Sequence, residues 1–347
     1  MSANLRNAPV TDPAQILRYR DRQYAAELLA AAILHFDFFT WLNDNAGADT
    51  KAICEHFEFA PRPADVLLTL LRANGFLTTN DDDRHELTEL AREHLVRGSD
   101  WFLGPYYAPI QDTPIVHEFL KVLRTGKPAN WQAKEDGDDW HESMLSEEFA
   151  RGFTELMNCR GKAFGQKLAQ ALAPELKDGK RVLDVGGGSG IYACTMVAAH
   201  PHLEAIVMEQ APVDQIAREE IVRHKLEGSV SVTTANMFAD PWPRDADVVL
   251  LSNVLHDWDF PEVRMLLERS AETLPAGGLL IIHEAFINDD KTGPLPVAEY
   301  SALLMNITQG KCYTPAEYGS ILNELGFETG PHRKTIADRG FMTAIRR

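Results

Sequence analysis

Two patterns of hydrophobic and polar residues divide the chain. In the first half, apolar residues recur at three- and four-residue steps, as in Leu17, Tyr24 and Leu28, which predicts amphipathic helices and a helix pair over 12–45. From Arg181 onward, short apolar runs alternate with stretches long enough for crossover helices. This alternation is typical of a parallel sheet with helices on both faces. The end of the chain predicts two more strands that close the sheet in an antiparallel direction.

The segment that follows the first helices predicts a short helix, a turn, a longer helix and a hairpin. This is a winged-helix-like pattern, for which DNA binding is the default function. The longer helix, however, carries only Arg62 and Arg72 as basic residues, and the hairpin tip is acidic at 81–83. A structural or dimerising role is therefore favoured. The predicted division is a winged-helix-like dimerisation domain at 1–115, a helical connector contributing to the substrate pocket at 116–175, and a Rossmann-like α/β domain at 176–347.

Composition narrows the classes of function. The 347 residues include 34 Lys and Arg against 51 Asp and Glu, a formal net charge of −17, which repels nucleic acid and anionic membranes. The four cysteines lie far apart, so neither a zinc cage nor a disulfide framework is predicted, and the histidines lack the spacing of a metal site. The N-terminal residues lack the pattern of a signal peptide, and no apolar run is long enough for a membrane span. A cytoplasmic protein is expected.

The residues that close the predicted strands are the candidates for ligand binding, because open α/β sheets bind ligands at the carboxyl ends of their strands. Asp184 ends the first strand and precedes the glycine turn 186–190. Glu209 ends the second strand, where a carboxylate can accept hydrogen bonds from both hydroxyls of a ribose. Asn236, Met237 and Phe238 follow the third strand and suit the edge and faces of an adenine ring. The same turn also fits a dinucleotide fingerprint, so NAD and S-adenosylmethionine both stay open.

A candidate base follows the fourth strand. The strand leads to His256, Asp257 and Trp258, and the fifth strand ends at Glu284. His256 should face the ligand crevice, where an imidazole can accept a proton near neutral pH. The neighbouring His283 should point to the opposite face by strand alternation, and a structural role is expected for it.

Four motifs, in this order, resemble those of S-adenosylmethionine-dependent small-molecule O-methyltransferases related to caffeic acid and acetylserotonin methyltransferases: RVLDVGGGSG, ANMFADPWPRDADVVLLSNVLHDWDF, LPAGGLLIIHEAF and GKCYTPAEY. The resemblance covers almost the whole chain. It implies a class I methyltransferase sheet, S-adenosylhomocysteine as product, a small-molecule acceptor and a homodimer. The N-terminal domain would then supply part of the partner's substrate pocket.

The resemblance also implies roles for individual residues. His256 would be the general base, with Glu284 orienting it and Asp257 beside it. The residues implied in cofactor binding are Asp184, Gly186, Gly188, Glu209, Asn236, Met237, Phe238, Ser252 and Trp258. The residues that fall where family members contact the acceptor are Met157, Asn158, Leu303 and Asn306.

Two positions depart from the family pattern. Asn236 stands where the family usually has Asp, which changes the charge but should keep an acceptor for an adenine amino group. Cys312 stands where the family has a second orienting glutamate, and a thiol cannot hold an imidazolium as a carboxylate does.

The N-terminal segment NAPVTDPAQILRYRDRQYAAELL is also similar to bacterial methylthiohydroxybutyrate S-methyltransferases of dimethylsulfoniopropionate synthesis. A thioether acceptor needs no deprotonation, since its neutral sulfur is already the nucleophile. Such an acceptor is a small anion, for which Tyr106, Tyr107 and Arg160 are candidates by location. S-methylation is therefore the alternative to O-methylation. An NAD-dependent oxidoreductase and a winged-helix regulator are more remote alternatives.

Overall fold

The computed structural model describes residues 5–129 and 143–347. Contacts within it divide the chain into two compact units. The helical unit comprises Ile16–Gln132 and Ile287–Thr314, and the sheet unit comprises Met1–Gln15, Ala133–Phe286 and Pro315–Arg347. The predicted division at 115 and 175 is linear in sequence and therefore differs from this one.

The helical unit gains a helix from the C-terminal half of the chain. The elements of its N-terminal part, with α1 spanning the boundary at Gln15, are α1 (Ala14–Asp21), α2 (Ala25–Ala30), a π-helical turn (Ala31–His35), α3 (Phe38–Asp44), β1 (Ala48–Asp49), α4 (Thr50–Phe57), α5 (Pro61–Ala73), β2 (Leu77–Thr79), β3 (Arg84–Leu87), α6 (Glu89–His94), α7 (Gly104–Tyr107), a 3₁₀ turn (Ala108–Ile110) and α8 (Pro114–Thr125). The later helix is Leu295–Ile307, numbered α14 below, which packs on α5, α2 and α8. Ten of its side chains are buried, because it is apolar on every side. This packing assigns residues 287–314 to the helical unit.

The elements α4, α5, β2 and β3 follow the order of helix, helix and hairpin that the sequence predicts, and a winged-helix fold for this segment stays a prediction. The strands pair in the order β1-β3-β2, all antiparallel. The helix pair predicted over 12–45 is wrong in detail, since three α-helices and a π-helical turn occupy that segment. Both basic residues of α5 turn inward: Arg62 donates to the carbonyl oxygens of Gly126 and Gly310, and Arg72 donates to that of Lys291.

The sheet unit alternates strands and helices after one long helix. Its elements in chain order are α9 (Glu147–Ala171), α10 (Ala173–Leu176), β4 (Arg181–Val185), α11 (Ile191–Ala199), β5 (Glu204–Glu209), α12 (Val213–His224), β6 (Val230–Thr234), β7 (Val248–Ser252), a 3₁₀ turn (Leu255–Asp257), α13 (Phe260–Thr273), β8 (Leu279–Glu284), α15 (Pro315–Glu324), β9 (Phe327–Thr329), β10 (Arg333–Lys334) and β11 (Gly340–Arg346). The strands follow the order β10-β11-β8-β7-β4-β5-β6, and β9 also pairs with β11.

The parallel strands β4 to β8 carry the site. All residues of β7 and β8 are buried, as expected for strands covered by helices on both faces. Strand β11 runs antiparallel to β8, with Gly340 opposite Glu284, so β11 begins at the edge where the parallel strands end. The C-terminal segment forms three strands rather than the predicted two, because the two-residue β10 also pairs with β11.

Among the described residues, no single helix is long and apolar enough to cross a membrane. One bent pair, Ala25–His35 with Phe38–Asp44, passes the test of length and composition. Leu28, Phe38 and Phe39 of this pair are fully buried within the protein.

Candidate active site

The turn after β4 brings the backbone close to the space above the sheet. Gly186, Gly188 and Gly190 all have left-handed φ angles, between +56° and +73°, which side chains other than glycine rarely allow. A Cβ at Gly190 would lie 3.0 Å from a methyl carbon of Val207. The N–H of Gly188 donates to Glu209 Oε2 at 3.0 Å, so the turn is tied to the end of β5.

Glu209 is half-buried and holds a fixed orientation. Its Oε1 accepts the N–H of Gln210 at 2.8 Å, while Oε2 accepts that of Gly188. Each carboxylate oxygen has a further lone pair for a ligand hydroxyl. Burial raises the pKa of Glu209 to about 7, although the two backbone hydrogen bonds act to lower it.

Asp184 lies beneath the glycine turn and is 1% exposed. Its Oδ2 accepts the N–H of Ala193 at 3.3 Å, while its Oδ1 is buried without a hydrogen-bond partner in the described part of the chain. Burial raises the pKa of this carboxyl to about 7. A buried acceptor without a partner is costly, so Asp184 fits a ligand that donates a hydrogen bond from within the glycine turn.

The adenine candidates gather beside the same turn. The sulfur of Met237 lies 3.6 Å from where a Cβ of Gly186 would be, and the rings of Phe238 and Trp258 meet edge to face at 4.6 Å. Asn236 differs from expectation, because its Oδ1 accepts the N–H groups of Phe238 and Ala239 at 2.8 and 3.2 Å. Both lone pairs of that oxygen are thus used within the turn, and Asn236 offers a ligand a donor rather than the predicted acceptor.

The candidate base is held by a buried carboxylate. His256, 4% exposed, lies in the 3₁₀ turn after β7, and its Nδ1 is hydrogen-bonded to Oε2 of Glu284, which is 1% exposed. The other oxygen of Glu284 accepts the N–H groups of Val254 and Leu255, both at 3.1 Å. Because a carboxylate accepts, the Nδ1 of His256 carries the proton, and its Nε2 is the proton acceptor.

Asp257 lies on the other side of the imidazole. Its Oδ1 is 3.6 Å from Nε2 of His256. Burial raises the pKa of Asp257 to about 6, while the neighbouring His256 acts to lower it. The two carboxyl groups thus flank the ring, one at each nitrogen.

His283 and Ser252 form a separate buried pair. The Nδ1 of His283 lies 2.9 Å from Oγ of Ser252, which also accepts from the amide of Asn253 at 3.1 Å. Burial, together with Arg339 and then Arg160, lowers the pKa of His283 to about 3, so this histidine is neutral. A structural role for His283 stays a prediction. The hydroxyl of Ser252 serves this pair, and its predicted cofactor contact stays a prediction.

The acceptor candidates of the sheet unit lie on α9. Both polar atoms of the Asn158 amide are hydrogen-bonded. Its Oδ1 accepts from the hydroxyl of Ser189 at 3.0 Å, and its Nδ2 donates to Glu220 at 3.2 Å. Asn158 therefore lies against the glycine turn, and its predicted contact with the acceptor stays a prediction. Met157 accepts a hydrogen bond from Arg160 through its sulfur at 3.1 Å.

The other acceptor candidates belong to the helical unit. Leu303 and Asn306 are 1% and 2% exposed, and the amide of Asn306 donates to Glu118 at 2.9 Å. Tyr106 is 81% exposed, whereas Tyr107 is half-buried. Acceptor binding by these four residues stays a prediction.

Sequence reasoning missed Asn253 and Arg339. The amide of Asn253 donates to the hydroxyl of Tyr192 at 3.0 Å, and Nε of Arg339 donates to Oδ1 of Asn253 at 3.4 Å. Arg339 directly precedes β11. The signal was available, because the start of an antiparallel strand lies at the same sheet edge as the ends of the parallel strands.

Together, the sheet order, the glycine turn and the His256–Glu284 pair define the class of protein as a Rossmann-like methyltransferase. A family model described as an O-methyltransferase domain matches residues 119–328. The chain belongs to this family. It is an S-adenosylmethionine-dependent methyltransferase, and the family's acceptors are small molecules.

The relatives include enzymes that methylate different atoms. The chain is 33% identical to a 3-hydroxy-5-methyl-1-naphthoate 3-O-methyltransferase of Streptomyces sahachiroi, over 80% of this chain and 79% of the relative. It is 26% identical to an L-tyrosine C(3)-methyltransferase of Streptomyces lavendulae, over 85% and 82%. A family 2 O-methyltransferase of Planctomyces limnophilus in complex with apigenin superposes with a TM-score of 0.88 at 28% identity, covering 99% of both chains.

Proposed function

We propose that the protein transfers a methyl group from S-adenosylmethionine to a hydroxyl oxygen of a small molecule, with His256 as general base. The observation that carries this proposal is the buried pair of His256 and Glu284. A carboxylate that fixes the Nδ1 proton and the ring orientation leaves Nε2 as a proton acceptor, which is the arrangement that general-base catalysis requires.

The residues at the sheet edge fit the cofactor. Glu209 offers its carboxylate to the ribose hydroxyls, and the buried Oδ1 of Asp184 offers an acceptor to a donor within the glycine turn. Met237, Phe238 and Trp258 offer apolar surfaces for the adenine ring. The bound cofactor supplies an electrophilic methyl group on a sulfonium sulfur.

Proton removal is the task of this chain's own residues. The Nε2 of His256 takes the hydroxyl proton as the oxygen attacks, and the ring becomes an imidazolium. Glu284 at Nδ1 and Asp257, 3.6 Å from Nε2, then balance its charge on both sides. The low exposure of His256 and Glu284 strengthens these interactions, since water screens them little.

S-methylation of a small thioether acid is the second candidate. It is favoured by Cys312, a buried thiol at the position where the family resemblance places a second orienting carboxylate. A thioether needs no base, so the loss of that carboxylate would cost such a reaction little.

A panel assay separates these functions. The protein is incubated with S-adenosylmethionine and with phenols, hydroxycarboxylates and thioethers, and the release of S-adenosylhomocysteine is measured. Release with hydroxyl compounds, and none with thioethers, is expected. Release with thioethers alone would support S-methylation, and preferential binding of NAD would contradict methyl transfer altogether.

We also propose that the protein is a homodimer formed through the helical unit. Large apolar side chains are exposed on this unit in the single chain, among them Ile16, Tyr19, Trp101, Leu103 and Tyr106, with exposed fractions from 48% to 81%. Such surface is typical of an interface. Sedimentation should show a dimer, and replacing Trp101, 62% exposed, with Asp should weaken it. A concentration-independent monomer would contradict the proposal.

Cytoplasmic location stays a prediction, which cell fractionation checks.

A further inference from the structure

A row of hydrogen bonds joins the glycine turn to helix α12. The hydroxyl of Ser189, a residue of the glycine turn, donates to Oδ1 of Asn158 on α9 at 3.0 Å. The Nδ2 of Asn158 donates to Oε1 of Glu220 on α12 at 3.2 Å. Ser189 and Glu220 are 5% and 6% exposed, so water screens these bonds little. A carboxylate outside the residues that fit the cofactor is therefore connected to the glycine turn.

Glu220 decides which end of the Asn158 amide faces the glycine turn. An ionised carboxylate accepts hydrogen bonds and donates none, so Glu220 binds the NH₂ group of the amide. The amide oxygen is then left for the hydroxyl of Ser189, which donates its proton to it. Without the carboxylate, the amide could reverse and present its NH₂ group to Ser189. The hydrogen bond that Ser189 makes therefore depends on Glu220.

Glu220 is held in place by its own helix. The Nε2 of His224, four residues further along α12, lies 2.9 Å from Oε1 of Glu220, and the His224 side chain is 5% exposed. The Nη1 of Arg223 pairs with Oε2 of Glu220 at 2.6 Å. Both carboxylate oxygens thus have a partner on α12, and the orientation of Glu220 does not depend on Asn158. The carboxylate can therefore act as a fixed support for the amide.

The glycine turn is also tied to the elements on either side of it. A Cβ at Gly161, three residues after Asn158, would lie 2.9 Å from Cγ2 of Ile191, where α11 begins. The missing side chain lets α9 approach the start of α11, directly after the glycine turn, and brings Asn158 beside Ser189. Towards β5, the glycine turn donates a backbone N–H to Glu209. A displacement of Ser189 would therefore disturb the backbone that contacts the proposed ribose-binding carboxylate.

We propose that Glu220 is a positioning residue for cofactor binding, which acts on the glycine turn through Asn158 and Ser189. Glu220 does not contact the cofactor itself. Its carboxylate holds the amide, and the amide holds the turn in one conformation before the cofactor arrives, so less conformational freedom is lost on binding. The inference rests on the proposed place of the cofactor at the glycine turn, and it is independent of which atom is methylated.

The test reverses the hydrogen bond between residues 158 and 220 and measures the Kd of S-adenosylhomocysteine by calorimetry. Asn158→Asp keeps the oxygen that accepts from Ser189 but sets a second carboxylate oxygen against Glu220. The two negative charges repel, so the Kd should rise about threefold to tenfold. Adding Glu220→Gln provides an NH₂ group that donates to the new carboxylate, and the Kd should return to within about twofold of the native value. Both substitutions exchange an NH₂ group and an oxygen, so the size of each side chain is conserved.

Glu219→Gln is the matched control. Glu219 is the preceding residue of α12, and it also pairs with α9, through Nη1 of Arg151 at 2.9 Å, but it is exposed and has no bond to Asn158. Combined with Asn158→Asp, it gives a protein with the same net charge as the rescued variant. The Kd of this control should stay raised, because only a donor at residue 220 faces the new carboxylate.

The possible failures are distinguishable. A native Kd for Asn158→Asp, or equal restoration by Glu219→Gln and Glu220→Gln, would overturn the positioning role. Thermal unfolding checks that each variant is folded. Glu209→Gln is measured alongside: if it raises the Kd and Asn158→Asp does not, the positioning role alone is wrong. A Kd that neither substitution changes would overturn the proposed cofactor site as a whole.

Discussion

Replacing Glu284 with Gln tests the proton-transfer geometry most selectively. The carboxamide has nearly the same size as the carboxylate. Its oxygen can still accept the N–H groups of Val254 and Leu255, which lie 3.1 Å from Oε1 of Glu284 in the native protein. Its NH₂ group, however, would face Nδ1 of His256, whose N–H group donates a hydrogen bond to the carboxylate in the native protein. The imidazole would respond by moving its proton to Nε2. The nitrogen that should take the hydroxyl proton would then be a donor.

The expected loss follows from that change of tautomer. General-base catalysis contributes about 10²–10⁴-fold, so kcat for a hydroxyl acceptor should fall by this factor, equivalent to roughly 3–5 kcal/mol of activation free energy. The affinity for S-adenosylhomocysteine should change little, because Glu284 is not among the residues that fit the cofactor. Thermal unfolding checks that the variant is folded. Glu268→Gln, the same change at an exposed position of α13, is the control and should keep native turnover.

The assay is single-turnover release of S-adenosylhomocysteine, which isolates the chemical step. A loss of less than about threefold in that step for Glu284→Gln would refute the general-base account. Native turnover of a hydroxyl acceptor should also fall in acid, because a protonated His256 cannot take the proton. Methylation of a thioether should show neither effect, since no proton leaves.

Three further predictions concern the cofactor side of the site. Glu209→Gln should raise the Kd of S-adenosylhomocysteine by more than about tenfold in calorimetry. Native affinity should weaken as the pH falls through about 7, because only the ionised carboxylate accepts from both ribose hydroxyls; unchanged affinity in the variant would remove Glu209 from the site. For Asp184, burial raises the pKa from 3.8 to about 7, so the ligand-free protein should lose stability as the pH rises across that interval. Asp184→Asn should reduce the difference in Tm between pH 5 and pH 8 that calorimetric scans record, and an equal difference in both proteins would refute this. Asn158→Ala removes the acceptor of the Ser189 hydroxyl, so it should raise the cofactor Kd several-fold and leave the acceptor KM unchanged. An unchanged cofactor Kd together with a raised acceptor KM would instead support acceptor binding by Asn158.

The residues at the strand ends could be predicted because each strand is recognised from its own short segment of sequence, and open α/β sheets bind ligands at the carboxyl ends of their strands. Each parallel strand appears in the sequence as an apolar run, and the residues that close these runs lie at the carboxyl ends of the strands, as Asp184, Glu209 and Glu284 do. These positions need only the alternation of strands and helices, which the pattern of the chain indicates. The pairing of Glu284 with His256 was implied only by the family resemblance. The structure allows it because His256 follows β7 and Glu284 ends the adjacent strand β8.

What the sequence did not convey depends on side-chain direction. The amide of Asn158 could face an acceptor or the glycine turn, and only the packing of α9 on α11 and α12 decides between them. Asn236 uses its oxygen in its own turn, which a residue type alone does not reveal. Arg339 was missed because its placement depends on a left-handed backbone conformation at Ala337 and Asp338. Neither residue type, by itself, predicts that conformation.

Identifying the atom that receives the methyl group distinguishes methyl transfer to oxygen from transfer to any other atom. The protein is incubated with S-adenosylmethionine carrying a ¹³C-labelled methyl group and with each panel compound that releases S-adenosylhomocysteine, and the product is examined by NMR. We expect the labelled carbon to be bonded to a former hydroxyl oxygen, with one S-adenosylhomocysteine formed for each methyl group transferred. We also expect His256→Ala to abolish most of this signal. A labelled carbon bonded to sulfur, nitrogen or carbon, or a full signal from His256→Ala, would contradict these expectations.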